Sequence, residues 1–324
     1  MRPLVLLTAS LTLFACRPDA AISEDRAPLE GVQRVVFLGD SITYAGLYIE
    51  FLEAYLRQTR PDLDCEFLDL GLPSETVSGL SEPGHAGGAF PRPVLRERLD
   101  RVLEKTRPDL VVVCYGMNDG IYHPFDEERF EAFRQGMLDL REKVSARGAK
   151  ILHVTPPVFD PLPIQEKTLP AGLTEYRQPY EGYDEVLGRY SDWLLSRRAD
   201  GWEVVDVHGP MKRHLKHRRQ ADPEYRLAGD GVHVNAVGHW LIARAILDHW
   251  ALLQPEDKGA EDPDAVFARD PQGLDLLGLV QQKQRLLKDA WLTETGHKRP
   301  GMKVGLPLEE ARRRVQELDP PSAP

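Results

Sequence analysis

Between residues 34 and 207, five short apolar runs alternate with longer segments in which apolar residues recur at helical spacing. Residues 34–38, 65–70, 110–115, 151–154 and 203–207 are short, rich in Val, Ile and Leu, and bounded by turn residues, so each reads as a strand. The stretches Val35-Val36-Phe37-Leu38 and 110–115 are continuously apolar, as strands covered on both faces should be. Helices are expected over 44–60, where Leu47, Phe51, Ala54 and Tyr55 fall near one face, and over 94–106, 127–147, 183–198 and 236–253. The second of these stops before Pro108, and Gly148 closes the third. Strands alternating with helices at this spacing predict a parallel sheet between two helical layers.

The chain changes character outside that pattern. Residues 254–272 are acidic and rich in Pro, Gly and Ala and read as a linker, while 274–293 and 308–318 read as two helices separated by the basic turn 296–301. At the other end, Arg2 precedes an apolar stretch over 4–14 that is too short to span a bilayer comfortably, followed by Leu13-Phe14-Ala15-Cys16. This looks like a bacterial lipoprotein signal, with 1–15 removed, Cys16 lipidated and 16–30 serving as a tether. A plain secretory signal and a short uncleaved anchor are the alternatives. The first two place the protein outside the cytoplasm, attached to a membrane through Cys16 only or freely secreted. The organisation expected is signal (1–15), tether (16–30), one α/β domain (31–253), then linker and helical extension (254–324).

Composition narrows the partners. A chain of 324 residues with 42% hydrophobic content can bury a substantial core, and a formal net charge of -10 argues against nucleic acid as a ligand. The basic segment Lys212 to Arg219 reads as a solvated helix face.

Three short motifs carry candidate chemistry, all at strand ends or before a helix, where an open α/β sheet places its site. Gly39-Asp40-Ser41-Ile42-Thr43 follows the first strand, Gly116-Met117-Asn118-Asp119 the third, and Asp230-Gly231-Val232-His233 precedes the last helix of the domain. Alone, Ser41 reads as an ordinary helix start and Asn118-Asp119-Gly120 as a turn. Together they supply what acyl transfer needs. A serine hydroxyl is a poor nucleophile without a base, the role open to His233, and Asp230 can hold the other imidazole nitrogen. A metal held by Asp230, His233 and His239 is disfavoured, because three ligands from so short a segment need unusual backbone geometry. No cofactor is expected.

Read in order, these motifs resemble the SGNH hydrolases, also called GDSL-type esterases and lipases, over residues 31–250. The resemblance implies a three-layer flavodoxin-like α/β/α fold with a five-stranded parallel sheet in the order 2-1-3-4-5. In that order the second and third strands are not neighbours, so no Cys65–Cys114 disulfide is expected. It also implies Ser41 as nucleophile, with Asp230 and His233 completing a triad. Asn118 and the backbone N–H of Ser41 would be oxyanion donors. The family's second block usually adds the N–H of a glycine; here the matching stretch is Asp69-Leu70-Gly71-Leu72-Pro73-Ser74-Glu75-Thr76, and the donor position falls on Ser74, with Gly71 the alternative. No Gly-x-Ser-x-Gly elbow of the α/β-hydrolase kind occurs in the chain. His85, Tyr122 and His123 lie in loops expected on the substrate rim. The expected function is hydrolysis of short acyl esters, above all O-acetyl groups of carbohydrates. A lysophospholipase or thioesterase of the same type, and a non-catalytic module binding glycan or a partner, are the alternatives.

Overall fold

Val35, Val36, Phe37, Leu38, Val111, Val112 and Val113 are all inaccessible to solvent, which is why their sequence lacks alternation. A computed structural model describes residues 29–168, 170 and 178–318 of the protein; the expected signal segment, Cys16 and most of the expected tether lie outside the described residues. In chain order the elements are β1 (Arg34–Gly39), α1 (Ser41–Ala45), α2 (Leu47–Thr59), β2 (Glu66–Asp69), α3 (Leu99–Thr106), β3 (Leu110–Cys114), α4 (Glu127–Ala146), β4 (Lys150–Val154), α5 (Tyr183–Ser196), β5 (Glu203–Val205), α6 (His208–Arg218), α7 (Ala236–His249), α8 (Pro263–Phe267), α9 (Gly273–Thr295) and α10 (Leu308–Leu318).

The five strands form one parallel sheet in the order β2-β1-β3-β4-β5, with Val36 of β1 opposite Leu68 of β2 on one side and Val111 of β3 on the other. The chain steps one way from β1 to β2 and the other way from β3 to β5. Right-handed crossovers therefore put α2 on one face and α3, α4 and α5 on the other. The reversal opens a crevice beyond the C-terminal ends of β1 and β3, and Ser41 and Asn118 follow those two ends. Cys65 and Cys114 are both free thiols.

Two local features differ from the sequence expectation. The helix expected over 44–60 is broken at Gly46, which takes a left-handed conformation (φ 80°), ends α1 and starts α2. Residues 254–272 are acidic and Pro-containing but folded: Phe267 of α8 is fully buried between Phe51 and Trp240, at ring-centroid distances of 5.7 and 6.2 Å. Three aromatic rings in contact outweigh local composition, since each large apolar side chain contributes about 1.5–3 kcal/mol on burial.

The helix α9 covers the outer edge of the sheet. It packs along α2 and β2, burying Val280, Leu287, Ala290 and Trp291. Gln284 sits among them and donates to the carbonyl of Phe67 in β2 at 3.0 Å and to Glu53 at 2.6 Å. An edge strand left open is a template for aggregation; here a helix closes it, with the Gln284 NH2 donating to the strand's carbonyl.

Candidate active site

Gly39 ends β1 where no side chain fits: a Cβ there would stand 2.0 Å from Thr43 Oγ1 and 2.8 Å from the Cys114 carbonyl. The next residue, Asp40, is buried and caps α1 by accepting from the Ile42 N–H at 2.9 Å. Burial pushes its carboxyl up to about 7, against the pull of that bond and of nearby His233. Ser41 is thereby held at the first position of α1, half-buried and facing the loop before α7.

That loop brings Asp230 and His233 to Ser41. His233 Nδ1 lies 2.6 Å from Asp230 Oδ2, and His233 Nε2 lies 2.8 Å from Ser41 Oγ. An ionised carboxylate only accepts, so the proton sits on Nδ1 and the Nε2 lone pair faces the serine hydroxyl, which donates to it. The other Asp230 oxygen accepts from the N–H groups of His233 at 2.8 Å and Val232 at 3.0 Å. Partial burial would raise the Asp230 carboxyl, but these bonds outweigh it and hold it far below the ordinary carboxylate range. The hydrogen bond to Asp230, opposed by desolvation, raises His233 above the usual histidine value. The loop itself is pinned from outside: Asp160 donates its N–H to the Gly231 carbonyl at 2.9 Å, and Arg219 of the basic segment pairs with the Asp160 carboxylate at 2.6 Å. Lys212 and Arg218 of the same segment also carry acidic partners, Asp184 and Glu261. His239 is buried, stacked on Tyr48, and pushed down to about 3 by desolvation.

The loop after β2 distinguishes Gly71 from Ser74. The Gly71 N–H is taken by Asp69 Oδ1 at 2.9 Å, and a Cβ on Gly71 would stand 2.3 Å from the Tyr44 nitrogen, so the glycine there serves close packing. Ser74 adopts φ 69°, the left-handed region that glycine enters most easily and that explains the usual family residue. Neighbouring groups are engaged: Leu72 N–H with the Gly39 carbonyl, and Thr76 N–H with the Pro93 carbonyl. The buried Glu75 carboxylate makes two 2.7 Å bonds to Arg98 and one of 2.6 Å to Tyr115. Among the described residues the N–H groups of Ser41 and Ser74 have no hydrogen-bond partner.

Asn118, 4% exposed, completes the arrangement. Its Oδ1 accepts from Arg92 at 2.8 Å and from the Tyr122 hydroxyl at 3.1 Å. Its Nδ2 donates to the Glu75 carbonyl at 3.2 Å, which ties the loop after β2 to the loop after β3 and leaves one amide hydrogen over. Arg92 is in turn held by two bonds to Glu82, at 2.6 and 2.7 Å, in a buried pair. Sequence reasoning passed over Arg92 and Glu82; an arginine between two prolines in the loop 81–93 was the signal available. Two residues expected on the rim are buried instead. Tyr122, 2% exposed, stands behind the Asn118 amide, and His85, 3% exposed, is turned to the Phe90 carbonyl of its own loop at 2.9 Å. Only His123 of the three stays partly exposed.

A hydroxyl bonded to an oriented imidazole, with open N–H donors on neighbouring loops, is suited to acyl transfer. Comparison with known proteins agrees. The model of the GDSL-like lipase/acylhydrolase family matches residues 37–241. No curated protein matches the chain in sequence. Among solved structures, a catalytic mutant of the acetylxylan esterase Axe2 from Geobacillus stearothermophilus is similar at 19% identity and TM-score 0.51, over 68% of this chain and 95% of that one. A gut microbial diltiazem-metabolizing enzyme is similar at 21% identity and TM-score 0.53, over 68% of this chain but only 47% of that one. At such identities the structural likeness speaks for the α/β fold. With the family match spanning well over half its length, this chain belongs to the GDSL-like lipase/acylhydrolase family and is a serine esterase of the SGNH type.

Proposed function

We propose that the protein hydrolyses short acyl esters through a covalent acyl-enzyme on Ser41, with O-acetylated carbohydrate as the substrate class. The observation that carries the reading is the continuous chain from Ser41 Oγ through His233 to Asp230, at 2.8 and 2.6 Å. Ser41 Oγ attacks the ester carbonyl carbon while its proton passes to His233 Nε2, and Asp230 stabilises the imidazolium that results. The carbonyl oxygen, now an alkoxide, accepts from the Ser41 and Ser74 N–H groups and the remaining Asn118 amide hydrogen. Collapse expels the alcohol, protonated by His233. Water then attacks the acyl-serine with His233 as base and releases the acid.

Short acyl groups on a polar alcohol fit the surface. Among the described residues the strongly exposed large hydrophobics, Leu138, Leu274, Val304 and Leu318, are scattered over separate elements and form no apolar lid for a lipid chain. The expected lipoprotein-type start fits the same picture, an enzyme exported to where acetylated polysaccharide is met; labelling of the expressed protein with a fatty-acid analogue, lost in Cys16→Ser, tests it. For the reaction, hydrolysis of chromogenic acetyl, butyryl and octanoyl esters and acetate release from acetylated xylo-oligosaccharide are to be compared in the parent and in Ser41→Ala. Serine-dependent activity that favours acetyl and extends to the sugar ester supports the reading. A preference for octanoyl esters would turn it towards lysophospholipid or thioester substrates.

A further inference from the structure

The C-terminal extension reaches the oxyanion loop. Arg299, far beyond the end of the family match at residue 241, donates from Nε to the carbonyl of Pro73 at 2.8 Å. That carbonyl and the Ser74 N–H belong to one planar trans peptide, in which C=O and N–H point in opposite directions. Holding the oxygen therefore sets the direction of the N–H. We propose that Arg299 is a positioning residue that orients and polarises the Pro73–Ser74 peptide so that its N–H serves the oxyanion, an inference that rests on the mechanism above.

Three observations support it. Ser74 has φ 69°, a conformation unfavourable to a non-glycine residue, so this peptide needs outside support to keep its orientation. The Arg299 charge is not neutralised: among the described residues its bonds go to the Pro73 and Pro300 carbonyls and Met302 Sδ, with no carboxylate among them. A cation on the carbonyl draws electron density from the amide and strengthens its N–H as a donor. The arginine is also held in place. Its guanidinium lies over the Phe90 ring at 5.5 Å, and Arg101 of α3 grips the turn before it through the carbonyls of Thr295 at 3.0 Å and Gly296 at 3.3 Å. The extension touches the nucleophile side as well, where Lys288 of α9 donates to the Tyr44 carbonyl at 2.5 Å.

The test compares full-length parent, Arg299→Ala, Arg299→Lys and the exposed neighbour Lys298→Ala by acetyl-ester kinetics and by the amide resonance of Ser74. Arg299→Ala is expected to lower kcat about 10- to 30-fold, less than outright loss of a donor, with KM within about threefold. Its Ser74 amide nitrogen should shift as the bond on the Pro73 carbonyl is lost. Arg299→Lys should recover much of kcat, and Lys298→Ala should match the parent. If the alanine variant does not fold, Arg299→Gln, close in size and uncharged, carries the same two readouts. A folded variant with kcat within about twofold of the parent, or a kcat loss without movement of the Ser74 amide, overturns the proposal. A parent silent on every ester would overturn the functional reading instead, while the amide shift would still report on the clamp.

Discussion

Arg92 donates to Asn118 Oδ1 at 2.8 Å, and this contact decides which end of the Asn118 amide serves the site. A guanidinium has no acceptor, so the amide oxygen must face Arg92 and the NH2 must face the crevice. Tyr122 adds a second donor to the same oxygen at 3.1 Å. Asn118→Ala is expected to lower kcat about 10²- to 10³-fold. Tyr122→Phe, which keeps the packing and removes one donor, is expected to lower kcat about fivefold, the equivalent of roughly 1 kcal/mol for one hydrogen bond, at unchanged KM. Steady-state kinetics on an acetyl ester checks both; an unaffected Asn118→Ala enzyme would remove the residue from the site.

Ser41→Ala should lower turnover by about 10⁴-fold or more while leaving the thermal midpoint within about 2 °C of the parent. The hydroxyl bonds the His233 ring nitrogen at 2.8 Å, and the helix cap belongs to Asp40, so folding does not rest on that hydroxyl. A large drop in melting temperature would assign Ser41 a structural role.

His233 must be neutral to take the serine proton. Its pKa is raised above 6.5, chiefly by the bond to Asp230, so kcat/KM should climb with pH through a midpoint above that value. Asp230→Asn removes the charge that stabilises the imidazolium. The variant should lose about 10²- to 10⁴-fold in kcat, and what remains should show its acid limb at lower pH. A pH profile of kcat/KM for both proteins reads the shift; a limb that stays in place would mean another group titrates there.

Ser74 and Gly71 should respond in opposite ways. Ser74→Gly relieves a left-handed serine and keeps the backbone N–H, so kcat is expected within about twofold and stability no lower than the parent's. Gly71→Ala would drive a methyl to 2.3 Å from the Tyr44 nitrogen and is expected to cost about 1–3 kcal/mol in denaturant unfolding. Equal tolerance at both positions would contradict the division of roles between them.

A chain ending at Leu253 is expected not to fold stably. It loses Phe267, Val280, Leu287 and Trp291, all buried, at about 1.5–3 kcal/mol each. That sum rivals the roughly 5–15 kcal/mol by which a whole domain is stable. A chain ending at Pro307 loses, of the described elements, only α10 and keeps Arg299, and should retain most of its activity. Thermal melts and ester hydrolysis on the two truncations distinguish a structural extension from a dispensable one.

The order of the strands in the sheet was implied by the family resemblance, whereas the strands themselves and the motifs that hold Ser41, Asn118, Asp230 and His233 were legible in the sequence because their signals are local. Apolar runs mark buried strands, and each motif sits within a few residues of the element that positions it. The same locality explains what was missed. Arg92 meets Asn118 across 26 positions and Arg299 meets Pro73 across 226, and nothing in the spacing of residues announces either pair. Tyr122 and His85 were expected on the rim because loop residues are usually exposed, whereas burial depends on what else folds over them. The sequence by itself thus determined the five strands, most of the helices and the chemical groups offered at their ends. Tertiary structure alone decided which donors are left open, which amide end faces the crevice, and that the extension touches the site, because each depends on groups brought together only when distant segments close.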